Sequence, residues 1–201
     1  MRFRIGQPEA DESFQPDEEG WTPMKEPPPF LLIVMAVPVC FLLAWLVLMG
    51  WEASDSSGPK SFTISGPQIL IGFLFLILIH ELIHGIAYPG FGRAVRVVIG
   101  FWPSRLLFYA ATNDPVSRNR MLIVYLAPLL VLSVLPLLLN RLLGVESFPL
   151  LAVAAANAFC SGGDALVFPM ILAQIPSNAI LKNKGWRTWW KISESVSQPG
   201  V

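Results

Sequence analysis

Four stretches of the chain are almost free of charge: residues 27–51, 61–79, 121–140 and 147–181, the last interrupted only by Asp164. A helix needs about 20 apolar residues to cross the hydrocarbon core of a bilayer, so each stretch predicts a membrane-spanning helix. Between the second and third, AVRVVIG and RLLFYAAT flank FWPS, two β-rich runs about a Trp102-Pro103 turn. They predict a short interfacial β-hairpin over residues 93–112. Pro89 and Gly90 should stop the second span, and Asn113-Asp114-Pro115 should cap and open the third near residue 115. Pro128 and Pro136 are placed to kink that third span. The expected fold is therefore an all-α membrane protein of about four transmembrane helices, with a hairpin-like segment between helices two and three. Residues 1–29 are acidic and proline-rich and lack the basic region of a signal peptide, so they predict a disordered cytoplasmic tail. Residues 30–176 form the membrane domain, and residues 177–201 an interfacial tail in which Trp186, Trp189 and Trp190 alternate with basic residues.

Composition agrees with the pattern. Hydrophobic residues make up 54% and charged ones only 14%, against roughly 25% charged in a soluble domain, and mean hydropathy is +0.57. The 14 basic and 14 acidic residues cancel, and no basic run is dense enough to neutralise phosphates, which excludes nucleic acid as the expected partner. Cys40 and Cys160 sit in apolar runs and offer neither a disulfide framework nor a CxxC pair, so they read as packing residues. Arg2, Arg4 and Lys25, Arg93, Arg96, Arg105, Arg118 and Arg120, and Lys182, Lys184, Arg187 and Lys191 place 12 of the 14 basic residues on one side of the predicted topology. Only Lys60 and Arg141 fall on the other side, so both termini are expected to be cytoplasmic.

Candidate chemistry lies in the second span, which reads LILIHELIHGIAYPG. Residues four apart share a helical face, so His80 and His84 can reach one metal ion while Glu81 stands beside them to handle a proton, the HExxH pattern of zinc hydrolases. The chain has no other histidine. A carboxylate at membrane depth costs roughly 2.5 kcal/mol or more unless paired, which makes a functional role the default for Glu81. A hydrolytic zinc site needs a third protein ligand and leaves a fourth position to water. Asp164 is the only other acid inside an apolar run. Depth supports it, because His80 and Asp164 each lie about 15 residues, or about 22 Å, from the outer end of their spans. Asn157 and Cys160 share the face of Asp164; Asn157 could meet an unwound substrate or an oxyanion, or simply bond a neighbouring helix. Gly162 and Gly163 allow a weakened helix or close packing at the same place.

The residues HELIHGIAYPGFG in a hydrophobic helix, a hairpin-like stretch, SRNRMLIVYLAP and a later helix with an asparagine ahead of an aspartate resemble the membrane-embedded zinc metalloproteases of the site-2 protease type. Within them the chain is most similar to the small bacterial proteins grouped as zincin peptidases. The resemblance covers roughly residues 66–175. It implies that His80, His84 and Asp164 bind Zn2+, that Glu81 is the catalytic base, and that the chain sits in a bacterial cell membrane. Where site-2 proteases end the aspartate segment in Asp-Gly, here Gly-Gly precedes Asp164 and alanine follows. The function expected is cleavage of a membrane-associated polypeptide near the cytoplasmic face, with lipid as the surround. Divalent-metal transport or sensing and a non-catalytic, zinc-stabilised scaffold are the alternatives.

Overall fold

The computed structural model describes residues 1–52, 65–105, 107–145, 147–185 and 187–193. Helix α1 (Pro29–Glu52) carries no charge before its last residue. Helix α2 (Gly66–Ala87) starts where the Gln68 side chain accepts the Ser65 amide at 2.9 Å. It ends at Tyr88, whose extended backbone leads into Pro89 and the short turn α3 (Pro89–Gly92). Proline here stops the helix as expected, because it offers no amide to continue it. Helix α4 (Arg118–Leu129), a π-helical turn at Leu130–Val134 and α5 (Leu135–Leu143) form one continuous rod, closed by Gly144 at φ 62°. Helices α6 (Phe148–Cys160) and α7 (Gly162–Gln174) meet at a bend of 50°. Among the described residues three helices, Pro29–Trp51, Gly66–Ala87 and Arg118–Leu143, are long and apolar enough to cross a membrane, and the bent pair makes a fourth if counted as one span.

Several boundaries differ from expectation. The fourth stretch ends as helix at Gln174 and is broken at Ser161. Asp114 does not cap the third helix, which begins at Arg118 with Ser117 before it. Its carboxylate instead accepts the Arg96 amide at 2.7 Å and the Arg96 guanidinium at 3.1 Å. Pro128 and Pro136 bracket the π-helical turn rather than a sharp kink. Lys60, Glu146 and Trp186 lie outside the described residues.

The larger correction concerns strands, since the chain is mostly helical but not all-α. The expected hairpin forms from β3 (Val97–Trp102) and β4 (Leu107–Thr112). The amino-terminal segment is not a disordered tail: its first strand, β1 (Arg2–Ile5), joins the hairpin in parallel beside β3. In RFRI the arginines alternate with Phe3 and Ile5, giving β1 one polar and one apolar edge-on face. A second sheet has the order β2-β7-β6-β5, built from β2 (Thr22–Pro23), β5 (Val116–Ser117), β6 (Ala179–Lys184) and β7 (Arg187–Ile192). The carboxyl segment, expected only as an interfacial tail, is thus a hairpin, turned at Gly185 with φ 59°. Between the sheets, residues 6–21 are pinned by Phe14, 1% exposed, and by a 3.0 Å ion pair from Asp11 to Lys182.

The main core gathers Met24, Tyr88, Val97, Val116, Met121, Val124, Ile171 and Leu181, so both sheets and helices α2, α4 and α7 share it. Helix α1 packs on α6 and α7, with Gly162 directly against Cys40. A Cβ at Gly162 would lie 2.7 Å from the Cys40 backbone nitrogen, so glycine is required for that approach.

Candidate metal centre

The one-turn spacing of His80 and His84 puts both rings on the face of α2 that turns inward, and both are buried with Glu81 between them. Helix α7 supplies Asp164 from its first turn, just after the bend at Ser161. The bend matters locally: it is steadied by the Ser161 hydroxyl, which donates to the Asn157 carbonyl at 2.9 Å, and it redirects the chain so that Asp164 meets α2. Asp164 Oδ2 lies 3.3 Å from His80 Nε2 and 3.2 Å from His84 Nε2, and the two Nε2 atoms are 3.1 Å apart. The three residues singled out in the sequence are therefore brought to one point.

The other ring nitrogens decide which atoms carry protons. His84 Nδ1 lies 2.7 Å from the Val124 carbonyl oxygen, which can only accept, so Nδ1 carries a hydrogen and the neutral ring keeps its lone pair on Nε2. His80 Nδ1 lies 2.9 Å from Asn157 Oδ1. The orientation of that amide follows from its other end: Nδ2 donates to the Pro128 carbonyl at 3.0 Å and to Ser133 Oγ at 2.8 Å. His80 is thus also protonated at Nδ1, with its Nε2 lone pair facing that of His84. With both rings neutral, two nitrogen lone pairs and a carboxylate oxygen converge within 3.1–3.3 Å, an arrangement that a shared cation holds together. A tetrahedral ion held at about 2.0–2.1 Å by each ligand would set them about 3.3–3.4 Å apart, so the donor set suits a divalent metal such as zinc.

Glu81 points to the neighbouring sheet. Strand β4 lies at the edge of its sheet. Gly6 donates to the Phe101 carbonyl at 2.8 Å, so the main chain of Phe101 faces β1. In the antiparallel register Phe101 opposes Phe108, so Phe108 and Ala110 turn their amides and carbonyls away from β3, toward α2. The Ala110 amide is within hydrogen-bonding reach of the Glu81 carboxylate. Ile77, His80, Glu81, Leu107, Phe108 and Cys160 line an open pocket of about 180 Å³ between β4, α2 and α6.

Asn157, expected to meet substrate or a neighbouring helix, is fully buried, and its side chain is committed to His80, Pro128 and Ser133. The geometry gives it to the histidine. Cys160 lines the pocket wall and carries no ligand geometry. Gly162 meets α1 rather than the histidine helix, and a Cβ at Gly163 would meet nothing. The sequence reading missed the Val124 carbonyl, Ser133 and the Ala110 amide. Ser133 had one signal, as a lone hydroxyl in an apolar stretch; the two main-chain groups had none.

No curated protein and no solved structure matches the chain. The family model described as putative zincin peptidase matches residues 73–180, which takes in α2 from Phe73 onward, the β3-β4 hairpin and α4 to α7 with both histidines, Glu81 and Asp164. That match spans more than half of the 201 residues and contains the whole metal centre, so the chain belongs to the zincin peptidase family.

Proposed function

We propose that the chain is a membrane-embedded zinc endopeptidase of the site-2 protease type, cutting a membrane-associated polypeptide near the cytoplasmic face. The observation that carries this reading is the convergence of His80 Nε2, His84 Nε2 and Asp164 Oδ2 beside Glu81, with both Nδ1 atoms already bound elsewhere. A lipid surround is supported by the large apolar side chains that α1 and α2 leave exposed, among them Phe41, Trp45, Ile71 and Phe75. The orientation is supported by strand pairing. The amino-terminal segment, the α2–α4 connection with the first turn of α4, and the carboxyl segment hold 12 of the 14 basic residues, and they pair with one another in the two sheets. All three then lie on one side, the side where basic residues are retained.

Zinc, when bound, polarises the scissile carbonyl and makes water a better nucleophile. His80, His84 and Asp164 would hold it. Glu81 takes a proton from the attacking water at its carboxylate and delivers it to the leaving amine nitrogen. A helical substrate hides its amides and must be unwound first; the outward edge of β4 at Phe108 offers it main-chain partners as an added strand. That edge runs past Glu81, so a strand bound there passes the reacting groups.

The test is to compare new protein amino termini in membranes of cells producing the wild-type chain or Glu81→Gln. Fragments present with the wild type and lost with Glu81→Gln, while that variant keeps its metal, are expected. Identical fragments from both would overturn the reading.

A further inference from the structure

We infer that Pro128 is a positioning residue for both histidines, holding each in the tautomer that leaves Nε2 free for a metal. The inference rests on the proposed metal centre, and it comes from two properties of one residue. In an α-helix the carbonyl of residue i accepts the amide of residue i+4. For Val124 that amide belongs to residue 128, which is proline and has none. The Val124 carbonyl, buried in α4, is left without its helical donor, and His84 Nδ1 supplies one at 2.7 Å.

The second property is the carbonyl of Pro128 itself, which accepts Asn157 Nδ2 at 3.0 Å. A carbonyl cannot donate, so this bond fixes which end of the Asn157 amide faces His80. The following π-helical turn completes the arrangement. Its i→i+5 bonding brings Ser133 round to the side of Pro128, where its hydroxyl accepts the same Asn157 Nδ2 at 2.8 Å and donates to the Ala154 carbonyl at 2.8 Å. Asn157 and Ser133 are both completely buried, so neither bond competes with solvent. A missing amide thus serves His84 and a present carbonyl serves His80, both at one position in the sequence.

Pro128→Ala restores an amide that competes with His84 for the Val124 carbonyl, while alanine itself favours helix. Pro136→Ala makes the same chemical change eight positions further along the rod, away from both histidines, and serves as the control. Cobalt(II) binding to the purified full chain, by chelator competition and visible absorption, should weaken about 10- to 100-fold in Pro128→Ala with an altered spectrum. It should stay unchanged in Pro136→Ala. Equal affinity and spectrum in Pro128→Ala and wild type, or equal losses in both variants, would overturn the positioning role and leave the metal centre standing. A wild type that takes up no cobalt would overturn both. A second measurement needs no variant: the two histidines are the chain's entire complement, so nitrogen-15 labelling of histidine in a protein without a histidine tag reports two rings only. Both should be Nδ1-protonated in the metal-free protein, and a His84 ring protonated at Nε2 and not at Nδ1 would contradict the inference.

Discussion

Two carbonyl oxygens and one side-chain amide determine what the histidines can do. Val124 O, and Pro128 O acting through Asn157, leave both Nε2 atoms as lone-pair donors facing Asp164. Asn157→Ala should therefore act on the metal although it touches none: His80 Nδ1 loses its acceptor, and affinity measured by chelator competition should fall about 10- to 100-fold. Unchanged affinity would show the bond to be incidental. Glu81→Gln should behave oppositely, keeping the metal and losing about 10²- to 10⁴-fold in cleavage rate, because the amide cannot accept the proton of the attacking water. The metal-directed residues were legible in the sequence for a chemical reason. His80, Glu81, His84 and Asp164 are costly in apolar runs, so their presence there carries information. Val124 O and the Ala110 amide were not legible, since every residue has a main chain and only packing shows which groups are recruited. Asn157 was visible, and a bond to a neighbouring helix was one of its two readings, yet nothing in the sequence indicated that its oxygen would meet His80.

Among the elements, the break between α6 and α7 places Asp164, and two adjacent glycines there have different duties. A Cβ at Gly162 falls on Cys40 of α1, whereas one at Gly163 meets nothing within 4 Å. Gly162→Ala should push α1 away from α7 and lower the melting temperature in detergent, by about 1–3 kcal/mol in stability. Gly163→Ala, inside α7, should be neutral or stabilising by up to about 1 kcal/mol. Equal losses in both would mean that the packing against α1 is not what glycine provides. The long elements were readable because a run of some twenty apolar residues is a strong signal. The β3-β4 hairpin was readable from its own local pattern. Strands β1, β2 and β5 were not, for they have two to four residues and exist only through partners far along the chain, as when Arg2–Ile5 pairs with residues 98–101.

Across the whole molecule, residues 1–26 tie the two sheets together instead of hanging free. Asp11 is the charged fastening: the Ser13 hydroxyl and then the Lys182 ammonium hold its carboxyl down at about 2, below the ordinary 3.8. A depressed carboxyl stabilises the fold above its unfolded value, and that contribution disappears as pH falls through the folded value. Wild type should therefore melt above Asp11→Asn at neutral pH, with the gap closing between about pH 4 and about pH 2. A gap that persisted at pH 2 would place the stabilisation elsewhere. The same strap brings together the basic segments at one end of the helices, next to the hairpin edge that passes Glu81. The most direct test of the central reading is metal content, by mass spectrometry, of the detergent-purified chain beside His80→Ala and Asp164→Ala. About one zinc per wild-type chain, lost in both variants, is the predicted result; a wild type that stays empty after zinc is supplied, or variants that keep the metal, would contradict it.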